Sequence, residues 1–254
     1  MIEMFDLFVL GILLAAFITA LIDTSLGMGY GTILSPILLI MEYPPEVVVP
    51  TILFSQLIVD IASGITHISV KNFTRKDVKV TLYVTIPAIS FVILGVFLNI
   101  NLHSIITKIY IGLIVTIFGL LLLLGKRFKK TSKRIIFLAF LAGFNKGFMG
   151  GGFGPIIVPG QITLKLDVRP SISIASIAEA PVCITGLLVF LLLNKISFLS
   201  IYLIVTIPAL IGSLIGPRLT KKITGKKNYA EKIIGGLTVT LGFITLLKEL
   251  LKYL

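Results

Sequence analysis

The chain has 254 residues, 56% hydrophobic and 13% charged, with a mean hydropathy of +1.08 and a formal net charge of +12. So apolar a composition excludes an ordinary soluble domain, whose surface needs more charge. The positive balance does not signal nucleic acid, because the basic residues sit in short loops between apolar runs and no nucleic-acid-binding pattern accompanies them.

The first apolar run, Phe5–Ile22, follows Glu3 with no basic residue before it. This argues against a cleaved signal peptide and predicts a first helix that is retained. Asp23 then leads into a glycine-rich break at Gly27, Gly29 and Gly31. The segment after it, Thr32–Met41, is too short to cross about 30 Å of hydrocarbon comfortably. Val47–Ile65 is a full span holding Ser55, Gln56 and Asp60, with His67 read as interfacial beyond it. A loop with Lys71, Arg75, Lys76 and Lys79 precedes the span Val80–Leu98, and His103 falls in a loop before the span Ile105–Leu124.

A basic linker, residues 126–134, opens the second half. Ile135–Phe144 runs into Asn145, Lys146 and a second break at Gly150, Gly151, Gly152 and Gly154, then a short segment, Ile156–Leu164. Ile172–Leu193 carries Ser176, Glu179 and the single cysteine, Cys183, which reads as a small core residue. Phe198–Ile215 and Ile233–Leu247 flank a third basic loop with Arg218, Lys221, Lys222, Lys226, Lys227 and Lys232. No His/Asp/Glu spacing supports a metal site, and no cofactor motif is present.

The two halves match. Shifting the chain by 123 residues, the distance from Gly31 to Gly154, lays Gly27, Gly29 and Gly31 on Gly150, Gly152 and Gly154, and Pro36 on Pro159. Asp23 falls on Lys146 and Gln56 on Glu179. The expected organisation is a first transmembrane repeat over 1–125 and a second over 135–254, joined by the linker. Placing all basic loops inside, with Lys165 and Arg169 among them and the Glu42–Glu46 loop outside, gives each half an odd number of crossings. The prediction is an all-α polytopic cell-membrane protein built from two inverted repeats, with both termini outside. Each repeat has a helix broken at glycines, a short half-helix and three long spans.

Broken backbone in hydrocarbon must be covered by protein or water, so the two breaks are expected to face each other inside the bundle. A half-helix N-terminus offers free N–H groups to an anion, glycine permits close approach, and Lys146 adds a positive charge. The alternative is that the glycines only pack helices together. Asp23, Asp60 and Glu179 are buried-acid candidates for proton coupling, Glu179 foremost. Two structural alternatives stand: Asp23 and Lys146 neutralise each other across the repeat axis, and Asp60 is a helix-end polar group. Ser55, Gln56, Ser176 and Asn145 supply neutral hydrogen bonds near the same depth.

The stretches FITALIDTSLGMGYGTILSPILLI with PPEVVVPTILFSQLIVDIASG, and FLAGFNKGFMGGGFGPIIVP with VRPSISIASIAEAPVCITG, resemble the duplicated signature of the sulfite exporter TauE/SafE family, also called the four-toluene sulfonate uptake permease family. The basic loop HISVKNFTRKDVKV resembles that family's loop before its third long helix. The resemblance covers essentially the whole chain. It implies a secondary carrier of sulfur-containing anions: sulfite, sulfoacetate, thiosulfate or other organosulfonates. The family's Gly-rich turns carry over to Gly27, Gly29, Gly31, Gly150, Gly151, Gly152 and Gly154. Met28, Tyr30 and Asp23 in the first break, and Asn145 and Lys146 in the second, depart from its usual pattern.

The functional expectation is an anion carrier, proton-coupled and alternating about a midplane site, with a small anion and the lipid bilayer as partners and a homodimer left open. The substrate-binding candidates are Gly27, Gly29, Gly31, Ser55, Gln56, Asn145, Lys146, Gly150, Gly151, Gly152 and Gly154. Asp23, Asp60 and Glu179 are the proton-coupling candidates. The competing classes are a membrane-embedded enzyme using Asp23, Glu179 and Lys146, and an uncoupled anion channel.

Overall fold

A computed structural model describes residues 2–124, 133–163, 166–193, 195, 200–223 and 227–251. Most of the linker, together with Lys165 and Lys226, lies outside the described residues. The described elements are all helical: α1 (Ile2–Leu26), α2 (Tyr30–Ile40), α3 (Pro45–Ser69), α4 (Val78–Asn101), α5 (Ser104–Leu124), α6 (Lys133–Met149), α7 (Phe153–Thr163), α8 (Val168–Leu192), α9 (Ser200–Ile223) and α10 (Lys227–Leu251). Seven of them (α1, α3, α4, α5, α8, α9 and α10) are long and apolar enough to cross a bilayer. The chain is an all-α polytopic membrane protein. The half-helices α2 and α7 have 11 residues each, and α6 has 17.

The order of elements after each break is the same in both halves, as the 123-residue shift predicts. Details differ from the sequence expectation at helix ends. α6 continues past Phe144 to Met149, and α2 and α7 begin at Tyr30 and Phe153, inside the glycine runs. The breaks have matched backbones. Gly27 and Gly150 have φ of 77° and 75°, and Gly29 and Gly152 have φ of 134° and 83°. These left-handed conformations are open to glycine at little cost and end α1 and α6 abruptly.

The long helices pack through small residues. α1 turns Leu10, Leu14 and Ile18 outward, one residue per turn, and buries Ala16 and Ala20 on the opposite face. That face meets α9, where a side chain on Gly212 would strike the Phe17 carbonyl. α6 docks on α4 in the same manner, with Gly143 against the Ala88 backbone and Gly147 against the Val92 carbonyl. α5 and α10 cross at Gly112, Gly119, Gly235 and Gly242. Lipid tails give helices no hydrophobic reason to associate, so close backbone approach through small residues supplies the packing. The apolar core interleaves both halves: Leu53, Val92, Ile157 and Val182 belong to one cluster.

The half-helix α2 is anchored at its far end by α10. The Lys248 ammonium donates to the Ile40 carbonyl at 2.6 Å and pairs with Glu42. A cation at a helix C-terminus satisfies an orphan carbonyl and opposes the negative end of the dipole.

Candidate functional site

The two breaks are in direct contact. A Cβ on Gly31 would strike the Gly150 carbonyl and lie 2.8 Å from Gly151 Cα, and one on Gly154 would strike the Gly27 carbonyl. Hydrogen bonds cross the same seam. Gly152 N–H donates to Thr32 Oγ1 at 3.2 Å, and Ser35 Oγ donates to the Met149 carbonyl at 2.9 Å. In this conformation Gly31, Gly151 and Gly154 are occupied by the backbone of the opposite half.

The polar side chains gather beside that seam. Lys146, the fourth residue from the end of α6, is 1% exposed and pairs with Glu179 Oε1 of α8 at 2.6 Å. Asp23, at the matched place on α1, accepts from Gln56 Nε2 of α3 at 3.1 Å. The arrangement is therefore the same in each half, with a residue at the break bonded to one in the middle of the following long helix. The alternative of a direct Asp23–Lys146 pair is not what forms. Each finds its partner within its own half, and the two remain near enough for Coulomb interaction.

Gln56 Nε2 also donates to Asp60 Oδ1 at 3.1 Å. Asp60 is 1% exposed, so it belongs to the buried cluster and not to a helix end. One oxygen of Asp60, one of Glu179 and the Cys183 sulfur lie within 4.8 Å of one another. Cys183 occupies the position matched to Asp60, one turn beyond Glu179. Its thiol also interacts with the Lys146 ammonium. These three are metal-ligand types, gathered from two helices where no linear spacing announced them. The positive charge beside them is the Lys146 ammonium.

The two half-helix N-termini differ. Tyr30 N–H, at the start of α2, donates to Asp23 Oδ1 at 3.3 Å, so the protein's own carboxyl sits where an anion would bind. At the start of α7 the matched residue is Lys146, and Asn145 lies against Gly152, its Nδ2 3.6 Å from where a Cβ there would stand. Asn145 is fully buried, and its Oδ1 accepts from the Tyr110 hydroxyl. Its Nδ2 has no hydrogen-bond partner among the described residues, and neither do Gln56 Oε1 and Asp60 Oδ2. Ser55 is buried and bonded to the Tyr30 hydroxyl. Ser176 is buried on α8, one turn before Glu179.

His67 departs from its interfacial reading. It is buried beneath the loop after α3, bonded to Asn72 and to the Thr24 carbonyl. His103 is exposed between α4 and α5, as expected of a loop residue.

The family profile described as Sulfite exporter TauE/SafE matches residues 12–245. The chain belongs to the sulfite exporter TauE/SafE family. Two relatives of the family's kind are described as probable membrane transporter proteins. YtnM of Bacillus subtilis (strain 168) is 27% identical over 187 residues, 69% of this chain and 61% of that protein. The chain thus spans less than two thirds of that relative's length. A protein of Methanocaldococcus jannaschii is 28% identical over 237 residues, 85% of this chain and 87% of that one. No solved structure matches. The family and the descriptions of both relatives support membrane transport, and the buried cluster at the glycine breaks is the candidate site.

Proposed function

We propose that this protein is a secondary carrier of small sulfur-containing oxyanions, of the sulfite, thiosulfate or organosulfonate class, and that protons travel with the anion. The observation that carries this reading is the pattern of unmet hydrogen bonding in the cluster. A buried donor, Asn145 Nδ2, stands at the α7 N-terminus with Lys146, and two acceptors on α3, Gln56 Oε1 and Asp60 Oδ2, are also buried without partners. Buried polar groups are otherwise nearly always paired, and leaving one unpaired costs about 1–3 kcal/mol. A ligand that offers acceptors to one set and protons to the other completes both.

The anion binds at the second break. Lys146 and Asn145 contribute side-chain donors there, beside Gly152, while Gly150 and Gly151 shape the break that places them. Asp23 plays the part of a built-in anion at the first break, beside Gly27, Gly29 and Gly31. Three carboxyls, Asp23, Asp60 and Glu179, face one ammonium. An incoming anion is repelled unless protons neutralise part of that excess, and this links its binding to proton uptake. Glu179 is the switching group: with a proton it releases Lys146 to the anion, and without one it takes Lys146 back.

Access alternates as the repeats rock about the seam of glycines. The loop that follows α3 and the start of α8 line one cleft with Lys71, Lys76 and Arg169, which supports opposite senses for these matched helices. It also supports one common, cytoplasmic side for the basic loops, with both chain ends outside. Carrier action distinguishes this reading from a channel or an enzyme.

Counterflow tests it. Proteoliposomes loaded with unlabelled thiosulfate are expected to accumulate radiolabelled thiosulfate transiently, and sulfite and sulfonates to compete. Flux without counterflow would indicate a channel. In the same assay Asn145→Ala is expected to raise the KM for thiosulfate roughly tenfold, equivalent to about 1.4 kcal/mol, with Vmax little changed. An unchanged KM would remove Asn145 from the site.

A further inference from the structure

On one face of α3, Gln56, Asp60, Ser63 and His67 follow at steps of four, three and four residues, and all are buried. This spacing is a single helical stripe, and it leads from the central cluster toward the end of α3. The matched positions on α8 beyond Glu179 are Cys183, Gly186 and Phe190, which offer no such polar track.

The stripe ends at a latch. His67 Nε2 lies 3.1 Å from the Thr24 carbonyl of α1. A carbonyl only accepts, so Nε2 carries the proton, and Nδ1 accepts from Asn72 Nδ2 at 3.1 Å. Asn72 Nδ2 also donates to the Pro217 carbonyl of α9 at 3.0 Å. The Asn72 carbonyl accepts from Ser173 Oγ of α8 at 3.0 Å. One loop residue thus ties α3, α8 and α9 together, and His67 ties them to α1 next to Asp23.

Asn72 is also the wall of a cleft of about 730 Å³, lined by Lys71, Lys76, Arg169 and Lys221. Asp77 and Asp167 share the cleft, but the Asp77 carboxylate is held by Thr74 N–H at 2.7 Å and Thr74 Oγ1 at 2.8 Å. Cations outnumber acids, and the charges sit on three separate segments that meet only in the fold.

We propose that this cleft is a capture site for the oxyanion, and that the Asn72–His67 latch closes the polar stripe between it and the central cluster. The proposal rests on the carrier reading for its cargo. Charged side chains around a concave mouth concentrate ions of opposite sign. The stripe gives a captured anion and its proton a hydrogen-bonding route that the matched face of α8 lacks.

Cys183, the single cysteine of the chain, lies in the cluster at the inner end of this route and reports on it directly. The protein in zwitterionic nanodiscs is labelled with two methanethiosulfonates of similar size, the anionic sulfonatoethyl and the cationic trimethylammonioethyl reagent, and followed by mass spectrometry. The anionic reagent is expected to react faster by roughly tenfold after allowance for intrinsic reactivity. Lys71→Gln/Lys76→Gln/Arg169→Gln is expected to erase that preference. Asn72→Ala is expected to speed both reagents several-fold. Thiosulfate is expected to slow only the anionic one.

A preference that survives neutralisation overturns the capture site. So does the absence of labelling in both wild type and Asn72→Ala. If phosphatidylglycerol in the nanodisc suppresses anionic labelling and thiosulfate does not, the cleft serves lipid headgroups and the proposal fails. Labelling needs no turnover, so it is judged apart from transport. Erased preference in a protein without thiosulfate counterflow would keep the capture site and fault the carrier reading.

Discussion

Lys146→Met is expected to lower unfolding stability by roughly 3–5 kcal/mol and to abolish anion uptake. The cause is the partner left behind. Glu179 is buried, and it is paired with this ammonium at 2.6 Å. With the ammonium gone, Asp60 and the Cys183 thiol stay within a few ångströms of an uncompensated carboxyl. Lys146→Met/Glu179→Gln removes both charges and is expected to recover most of the lost stability, because a neutral amide in place of an ion pair demands far less solvation. It also reproduces in the second half the glutamine that the first half has at Gln56. Uptake is expected to stay absent in the double variant, since the anion has lost its cation. Thermal unfolding in detergent separates the two effects. A single variant as stable as the double one would show that the pair is not what holds α6 to α8.

The second large effect concerns the seam. Gly31→Ala and Gly151→Ala are each expected to destabilise the fold by more than the usual 1–3 kcal/mol or so of an overpacked core. The atoms in the way are backbone: Gly150 O and Gly151 Cα for Gly31, and Gly31 C, at 2.5 Å, for Gly151. Backbone in a helix break has no alternative rotamer with which to yield. Gly236→Ala is the control, because nothing lies within 4 Å of its added carbon, and it is expected to be neutral or slightly stabilising in a helix. Melting temperatures of the three variants check this. Equal values would mean that the two breaks do not meet as described.

Much of this was legible in the sequence, for physical reasons that differ from residue to residue. Glycines at φ values closed to other residues leave a mark, so both breaks and their equivalence could be read from Gly27 to Gly154. Bilayer-length apolar runs gave the long helices. The apolar run of α6 stops at Phe144, where Asn145 and Lys146 follow, yet the helix continues to Met149, because a lysine paired inside protein does not end a helix. Partner choice was not legible. The shift of 123 residues set Asp23 beside Lys146 and Gln56 beside Glu179, but it carries no distance, and the bonds form between break and long helix within each half.

His67 looked interfacial because it stands two residues from the end of α3, and only the fold shows Asn72 turned back over it. Cys183 is the core residue that the sequence suggests, packed in the apolar cluster with Val182 and Phe190, and it also lies close to Asp60 and Glu179. Its place one turn from Glu179 and opposite Asp60 in the repeat is the signal for that second neighbourhood.

In the proposed mechanism the anion travels with protons through a cluster governed by Glu179. The most direct test is proton movement driven by the anion. Proteoliposomes containing an internal pH indicator receive an inward gradient of thiosulfate, with membrane potential clamped by potassium and valinomycin. The lumen is expected to acidify in step with thiosulfate entry, an acidic exterior to accelerate accumulation, and Glu179→Gln to exchange thiosulfate without either proton response. Thiosulfate entry with no change in lumenal pH in the wild type, or full proton coupling in Glu179→Gln, would contradict that mechanism.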